Sequence, residues 1–156
     1  WYSHIGWIAD DDSTDPLAYR KYCKDISEDR YYHWLVRYRM VPQVLGVAAV
    51  GLTLGWAAVP LIFFLPVVSW MHSTYAVNSF CHDRRFGSRA FETRDESRNV
   101  WWVGLLALGE GWHNNHHAHP RSVRHGLKRH QLDLSYLVIR LLRRLGLARD
   151  LREAGQ

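Results

Sequence analysis

The residues best suited to chemistry lie in the segment GEGWHNNHH, residues 109–117. Three of its imidazoles, His113, His116 and His117, occupy positions i, i+3 and i+4. On a helix these positions share one face, so the three side chains can converge on a metal ion. Neutral imidazole is a ligand for Fe, Zn, Cu and Ni. The spacing predicts a metal site, and Glu110 is expected to fix the tautomer of a ligand imidazole by accepting a hydrogen bond from it.

A second pair with ligand spacing is Asn78 and His82, four residues apart on one helix face. The pair could complete a coordination sphere, with Asn78 acting directly or through a water. The spacing supports equally well a hydrogen-bonded interfacial histidine beside an Asn that bonds to backbone. His4 has no neighbour at ligand spacing, and His72 is expected to line the interior of a helical bundle.

The element that must position these residues is a long uncharged stretch. Residues 40–82 contain no Asp, Glu, Lys or Arg, which is long enough for two helices across a hydrocarbon layer of ~30 Å. Pro60 is expected at the turn or at the start of the second helix. Arginines flank both ends, which predicts that both ends of this hairpin face the cytoplasm. The alternative is a buried helical pair in a soluble protein.

Further helices are predicted on either side of the hairpin. Residues 9–30 are polar, with a turn predicted at residues 10–16 before a short cytoplasmic helix. A helix through Trp101 and Trp102 is expected to reach Trp112 and to carry the histidine cluster at its far end. Its N-cap candidates are Thr93, Asp95 and Ser97.

The last helix, over residues 133–147, has leucines on one side and arginines on the other. Such a helix lies on an anionic membrane surface, packs on a partner domain, or is a core-facing helix with a solvated basic face. All three possibilities are open from the sequence.

The composition limits the class of protein. Lys and Arg number 20 and Asp and Glu 15, a net charge of +5 that implies an acidic partner such as nucleic acid or an anionic membrane. Hydrophobic residues make up 47% and charged residues 22%, which excludes disorder of the whole chain. Because the basic residues flank the apolar stretch and no recognition motif occurs, no nucleic-acid partner is expected.

The string NSFCHDRRFGSRAFETRDESRNVWWVGLLALGEGWHNNHHAHP, residues 78–120, resembles the membrane fatty acid desaturases of the delta-9 class, which act on acyl-CoA or acyl-lipid. The opening WYSHIGW is similar to the segment that follows the second histidine box of that family. The family's third box, His-x-x-His-His, matches His113, His116 and His117. Its Asn-x-x-x-His motif, which supplies a ligand and a water-linked Asn, matches His82 and Asn78.

The resemblance implies an all-α integral membrane helical bundle with a cytoplasmic helical cap. It also implies two iron ions held by histidine, which insert a cis double bond into a saturated acyl chain. The implied partners are an acyl-CoA or acyl-lipid substrate, O2, membrane lipid and an electron donor such as cytochrome b5 or ferredoxin. The alternatives are a lipid hydroxylase on the same scaffold and a non-catalytic, membrane-anchored metal-binding fragment.

Three segments follow from the resemblance. Residues 1–39 are expected to be cytoplasmic and to follow the second histidine box, residues 40–82 to form the transmembrane hairpin, and residues 83–156 to form the cap with the third box. The chain begins at Trp1 without a Met, and the family's first two boxes are expected ahead of it. The 156 residues are therefore expected to be the C-terminal part of a longer enzyme and to be inactive alone.

Further roles are expected around the ligands. His4 and Glu110 are expected beside the ligand imidazoles. Tyr75 stands where the family commonly has a Trp near the acyl carbonyl, and with Trp101 and Trp102 it is expected to contact substrate. For the two Trp residues, an interfacial aromatic belt or plain core packing is an equally good expectation. A further set of basic residues either receives the electron donor or an acidic head group, or only sets topology: Arg84, Arg85 and Arg121.

Overall fold

The computed structural model of the chain describes residues 1–9 and 21–154. The turn predicted at residues 10–16 lies outside the described residues. Within them the all-α prediction is confirmed, since only isolated bridges pair extended backbone, Ser88 with Asn99 and Asn99 with Trp112. The helices are α1 (Lys24–Ser27), α2 (Arg30–Arg37), α3 (Met40–Leu54), α4 (Leu65–Phe80), α5 (Trp101–Leu106), α6 (His113–Ala118) and α7 (Leu134–Arg144).

Two compact units make up the chain. One comprises Gly6–Ser69, with α1 to α3 and the helical turns that lead into α4. The other comprises Trp1–Ile5 and Trp70–Gln156, with most of α4 and all of α5 to α7. The histidine cluster lies wholly in the second unit.

The two apolar helices are separated at Gly55 rather than at Pro60. Gly55 has φ +88°, a conformation that glycine adopts without a side-chain penalty, and it ends α3. Pro60 instead begins a single π-helical turn, Pro60–Phe64, that runs into α4. Gly46 of α3 lies against the ring of Phe63, where a Cβ would come within 2.7 Å of Cε2. A small residue at this point lets α3 pack closely on the helix that follows.

One helix in the described part of the chain is long and apolar enough to cross a membrane. It runs continuously over Trp56–Phe80 with 25 residues, about 37 Å at 1.5 Å per residue. Helix α3 has 15 residues, about 22 Å, and falls short of a bilayer by itself. It meets the length requirement only together with α2, from which it is bent by 46°.

The core of the second unit joins the end of α4 to α5. Phe80 makes edge-to-face contacts with Trp102 at 4.9 Å and with Phe86 at 5.1 Å between ring centroids. Burial of apolar surface between these helices fixes the end of α4 where the histidines gather. The buried residues of this core are Ala76, Val77, Cys81, Val100, Val103 and Ala107.

The single helix predicted from Trp101 to Trp112 is wrong, because the chain reverses before Trp112. Helix α5 ends at Leu106, and Gly109 then adopts φ +125°. Gly111 packs so closely on α5 that a Cβ would lie 2.1 Å from the backbone nitrogen of Gly104. The histidines therefore begin a new helix, α6.

The predicted N-caps are also wrong for α5. The residue before α5 is Val100, and no side chain caps this helix. Asp95 instead accepts a hydrogen bond from the backbone N–H of Ser97 at 2.9 Å, which closes a local turn. Side chains of this type favour such turns as strongly as they favour helix N-termini, so the sequence signal was ambiguous.

Candidate metal centre

Three histidine rings meet where α4 ends and α6 begins. Nε2 of His113 lies 3.0 Å from Nε2 of His82 and 2.9 Å from Nε2 of His117. The ligand nitrogens of all three lie within 4.8 Å of one another, and among the described residues this is the group that could hold a metal ion. In the tautomer with the proton on Nδ1, each Nε2 carries a lone pair, so the three nitrogens can face one metal ion.

The environment disfavours protonation of His113 and of the neighbouring His116. Burial, followed by the neighbouring charges of His117 and His82, lowers the pKa of His113 to about 3. The pKa of His116 is also lowered, first by burial and then by His125 and His117. Metal ions bind the unprotonated imidazole, so both residues are held in the form that a ligand needs.

Asp95 sets the tautomer of His117. The Nδ1–H of His117 donates to Oδ2 of Asp95, and this orientation of the ring turns Nε2 towards His113. Burial raises the pKa of Asp95, but hydrogen bonds from Ser97 and His117 outweigh it, and the net pKa lies well below the usual range. A carboxylate bound to the outer nitrogen of a ligand histidine is common at metal sites. The sequence had suggested Asp95 only as a helix cap.

Asn114 lies between the histidines and is completely buried. Its Oδ1 accepts from the backbone N–H groups of Ala90 and Phe91 at 2.7 and 2.8 Å, and its Nδ2 donates to the carbonyl of Phe91 at 3.0 Å. The amide thereby fastens α6 to the segment that carries Asp95.

Asn115 makes the matching connection on the other side. Its Nδ2 donates to the carbonyl of His125 at 2.7 Å and to Oε1 of Gln131 at 3.0 Å. Its Oδ1 accepts from Nδ2 of Asn99 at 2.7 Å. The two asparagines of the His-Asn-Asn-His-His string are therefore the residues that hold its histidines in place.

His116 belongs to a different group. Its ring lies 4.5 Å from that of His125, centroid to centroid, and its buried Nδ1 has no hydrogen-bond partner among residues 1–9 and 21–154. Nδ1 of His125 is 3.5 Å from Oε2 of Glu110, an ion-pair distance. Glu110 thus contacts His125 in this structure, whereas the sequence predicted that it would bond to a ligand imidazole. The sequence had given His125 no role at the site.

His4 lies beside α4 rather than against the three converging rings. Its Nδ1 is 2.9 Å from Oγ of Ser79 and its Nε2 is 3.0 Å from Nδ1 of His72. The ring of Tyr75 lies edge-on to His4 at 5.8 Å. His4 and Ser79 also line an open pocket of about 880 Å³ whose wall includes His82.

The other predicted site residues are spread around these groups. Asn78 is exposed, one turn before His82 on α4. Trp101 is 64% exposed, whereas Trp102 is half-buried and packs on Phe80 in the core. Core packing, one of the three expectations for this Trp pair, is therefore observed for Trp102.

The comparisons with known proteins show the family of the chain. A family model described as fatty acid desaturase matches residues 3–146, and the chain belongs to this family. It is 41% identical over 160 residues to the sn-1 stearoyl-lipid 9-desaturase of Anabaena variabilis, covering 100% of this chain and 56% of that protein. It is 42% identical over 156 residues to the sn-1 stearoyl-lipid 9-desaturase of Synechocystis sp., covering 97% and 47%.

One relative with lower identity is named for a different position of the double bond. The icosanoyl-CoA 5-desaturase of Limnanthes douglasii is 36% identical over 154 residues, covering 97% of this chain and 43% of that protein. The chain spans about half the length of the relatives it matches. The resemblance to the delta-9 class is confirmed.

Proposed function

We propose that the 156 residues are the C-terminal part of a non-haem di-iron fatty acid desaturase that introduces a cis double bond, at the delta-9 position, into a saturated acyl chain. The observation that carries the metal assignment is the approach of His82, His113 and His117 to one point. The names of the relatives support the reaction.

The donor set fits iron. It consists of neutral imidazoles, which bind iron as well as zinc, and burial protects His113 from protonation. The residues that would hold the metal are His82, His113, His116 and His117, with Asn78 acting through a water. We infer that histidines outside these residues complete the set, because the relatives are about twice as long as this chain.

The separate roles of the metal and of the protein follow from the chemistry of the substrate. A methylene C–H bond is too inert for any side-chain base to deprotonate. Bound iron, with O2, two electrons and two protons, would supply the oxidising chemistry that removes two hydrogens and releases water. The chain's own residues orient and insulate the site. Asp95 holds His117 with Nε2 inward, and the two asparagines fix α6.

The proposed substrate class rests on the names of two relatives. The relatives from Anabaena variabilis and Synechocystis sp. are named for stearoyl-lipid, so we propose an acyl-lipid substrate over an acyl-CoA. Tyr75, Trp101 and Trp102 are the proposed substrate contacts. Arg84 pairs with Glu96, and Arg85 pairs with Asp83. These two arginines are the proposed binding site of an electron donor such as ferredoxin or cytochrome b5.

The proposed location is a membrane. Helix Trp56–Phe80 is long enough to span, and Arg84 and Arg85 follow its end. By the tendency of positive residues to stay inside, this end, the histidine cluster and both termini face the cytoplasm.

The full-length chain with His117→Ala tests the proposal, with His130→Ala, an exposed histidine, as the matched control. Iron per chain and the acyl products of the host lipids are measured, the latter by gas chromatography and mass spectrometry. The proposal requires two irons and a new cis double bond in the wild type and the control, and loss of both in H117A. Undiminished unsaturation in H117A contradicts the site, and a hydroxylated product contradicts the reaction.

A further inference from the structure

Helix α7 exposes its apolar side. Five residues at the spacing of one helix face are between 37% and 62% exposed. In the described part of the chain the stripe does not face the core, so one of the three possibilities open from the sequence is eliminated. The stripe consists of Leu134, Leu137, Val138, Leu141 and Leu145.

The orientation of α7 is fixed by its other side. Tyr136 is buried, and the N-cap Asp133 accepts the backbone N–H of Tyr136 at 2.9 Å. Oδ2 of Asp133 also accepts the N–H groups of His125 and Gly126 at 2.7 and 3.0 Å. Because the buried residues Tyr136 and Asp133 fix one side of α7 to the rest of the unit, the leucines on its other side face outward.

Basic residues border the stripe. Arg140 and Arg144 are exposed and lie on the same flank of the helix, roughly 100° and 60° round it from Leu141. Residues 134–149 contain no Asp or Glu. Arginine stems of this length can lie along apolar surface while the guanidinium groups reach phosphate oxygens, which they bind bidentately.

The helix also lies close to the end of the apolar helix. The last turn of α4 packs on α5, and the carbonyl of Leu108, just beyond α5, accepts the N–H of Ser135 in α7 at 2.9 Å. If Trp56–Phe80 spans the bilayer, as proposed above, only α5 lies between α7 and the end of that span at the membrane surface.

We propose that α7 lies flat on the surface of an anionic lipid bilayer. Its leucines enter the boundary between head groups and acyl chains, and Arg140 and Arg144 bind lipid phosphates. An exposed apolar stripe with a basic border and no acidic residue is complementary to such a surface in both shape and charge.

Spin labels on the full-length chain in phosphatidylglycerol nanodiscs test this. Cys23→Ser removes the accessible thiol of the 156 residues, Cys81, fully buried, is kept, and any cysteine elsewhere in the full-length chain is replaced by Ser. Labels are placed at Leu141→Cys and at Arg143→Cys, roughly 200° apart round the helix and both exposed in the structure. Val68→Cys, within Trp56–Phe80, reports on the span itself.

The label at position 141 should relax faster with O2 than with a water-soluble nickel chelate, and the label at position 143 should show the reverse. A label at 141 that is open to the chelate, or shielded from both reagents by another protein segment, overturns the proposal. A chelate-accessible label at 68 would instead overturn the proposed span, so the two failures are distinguishable.

Lipid composition tests the role of the arginines. Replacing phosphatidylglycerol by phosphatidylcholine should move the label at 141 towards water, and R140Q/R144Q should abolish this difference between the two lipids. The exposed pair Lys128→Gln and Arg129→Gln, outside the helix, is the matched control and should preserve it. Equal depth of the wild-type label in both lipids overturns the anionic preference.

Discussion

Asp95 and His117, 22 residues apart in the chain, form a charge-assisted hydrogen bond that turns the free nitrogen of His117 towards His113. The bond connects the irregular segment after α4 with α6. It makes the position of a proposed metal ligand depend on a residue outside the histidine motif.

Replacing this carboxylate should weaken metal binding more than it weakens the fold. Asp95→Asn retains the shape but removes the charge that favours the correct tautomer of His117, and metal affinity should fall by about 10- to 100-fold. Competition with a metal chelator, using the full-length chain, measures the change. Glu92→Gln, an exposed acidic residue three positions earlier, should leave the affinity unchanged. Equal affinity in D95N and E92Q would show that Asp95 does not act on the site.

Asn114 should matter for stability rather than for ligand chemistry. Asn114→Ala leaves the N–H groups of Ala90 and Phe91 without their acceptor in a buried position, which should cost about 2–4 kcal/mol of unfolding free energy. Thermal unfolding of the metal-free protein measures this loss. Arg129→Ala, at an exposed position, should change stability by no more than about 0.5 kcal/mol. A similarly small effect of N114A would contradict the role given to the amide.

Two glycines should respond very differently to Ala. At Gly111 the new Cβ would lie 2.1 Å from the backbone of Gly104, so α6 would be displaced and the folded protein should be lost or strongly destabilised. At Gly146 nothing lies within 4 Å and only the φ of +74° is unfavourable, at a cost of about 1–2 kcal/mol. Soluble yield in detergent and melting temperature compare the two variants. If G111A destabilised the protein less than G146A, the close packing of Gly111 on α5 would be contradicted.

Acid should destabilise the metal-free protein. Because the folded pKa of His113 is about 3, well below the ordinary 6.5, the unfolded chain binds a proton between these values that the folded chain does not. The stability from the neutral buried ring is fully present above pH 6.5 and is lost as pH falls towards 3. Melting temperatures at pH 7.5, 6 and 5 should show this fall, with a shallower slope in His113→Gln and an unchanged slope in His130→Gln. If the melting temperature depended on pH equally in wild type and H113Q, the lowered pKa of His113 would be contradicted.

The sequence predicted the histidines but not their surroundings. The i, i+3, i+4 spacing was sufficient for His113 and His117, because their common face is a local property of a helical turn. His82 was uncertain from spacing and gained support from the family resemblance. The metal assignment itself stays a prediction.

What the sequence could not provide were contacts between distant segments. Asp95, Asn99 and His125 reach α6 across loops whose path depends on tertiary packing, and periodicity carries no information about such paths. A signal was present in the glycines at 109 and 111, which indicated a close turn and not a helix. The boundary between the two apolar helices differs from the prediction for a similar reason, since α3 ends at Gly55 and not at Pro60.

The most direct measurement of the metal centre is the anomalous scattering of iron in crystals of the full-length protein, recorded on both sides of the iron absorption edge. The proposed function predicts iron peaks at the point where Nε2 of His82, His113 and His117 converge. An iron peak elsewhere, or a peak at this point that is absent at the iron edge and present at the zinc edge, would contradict it.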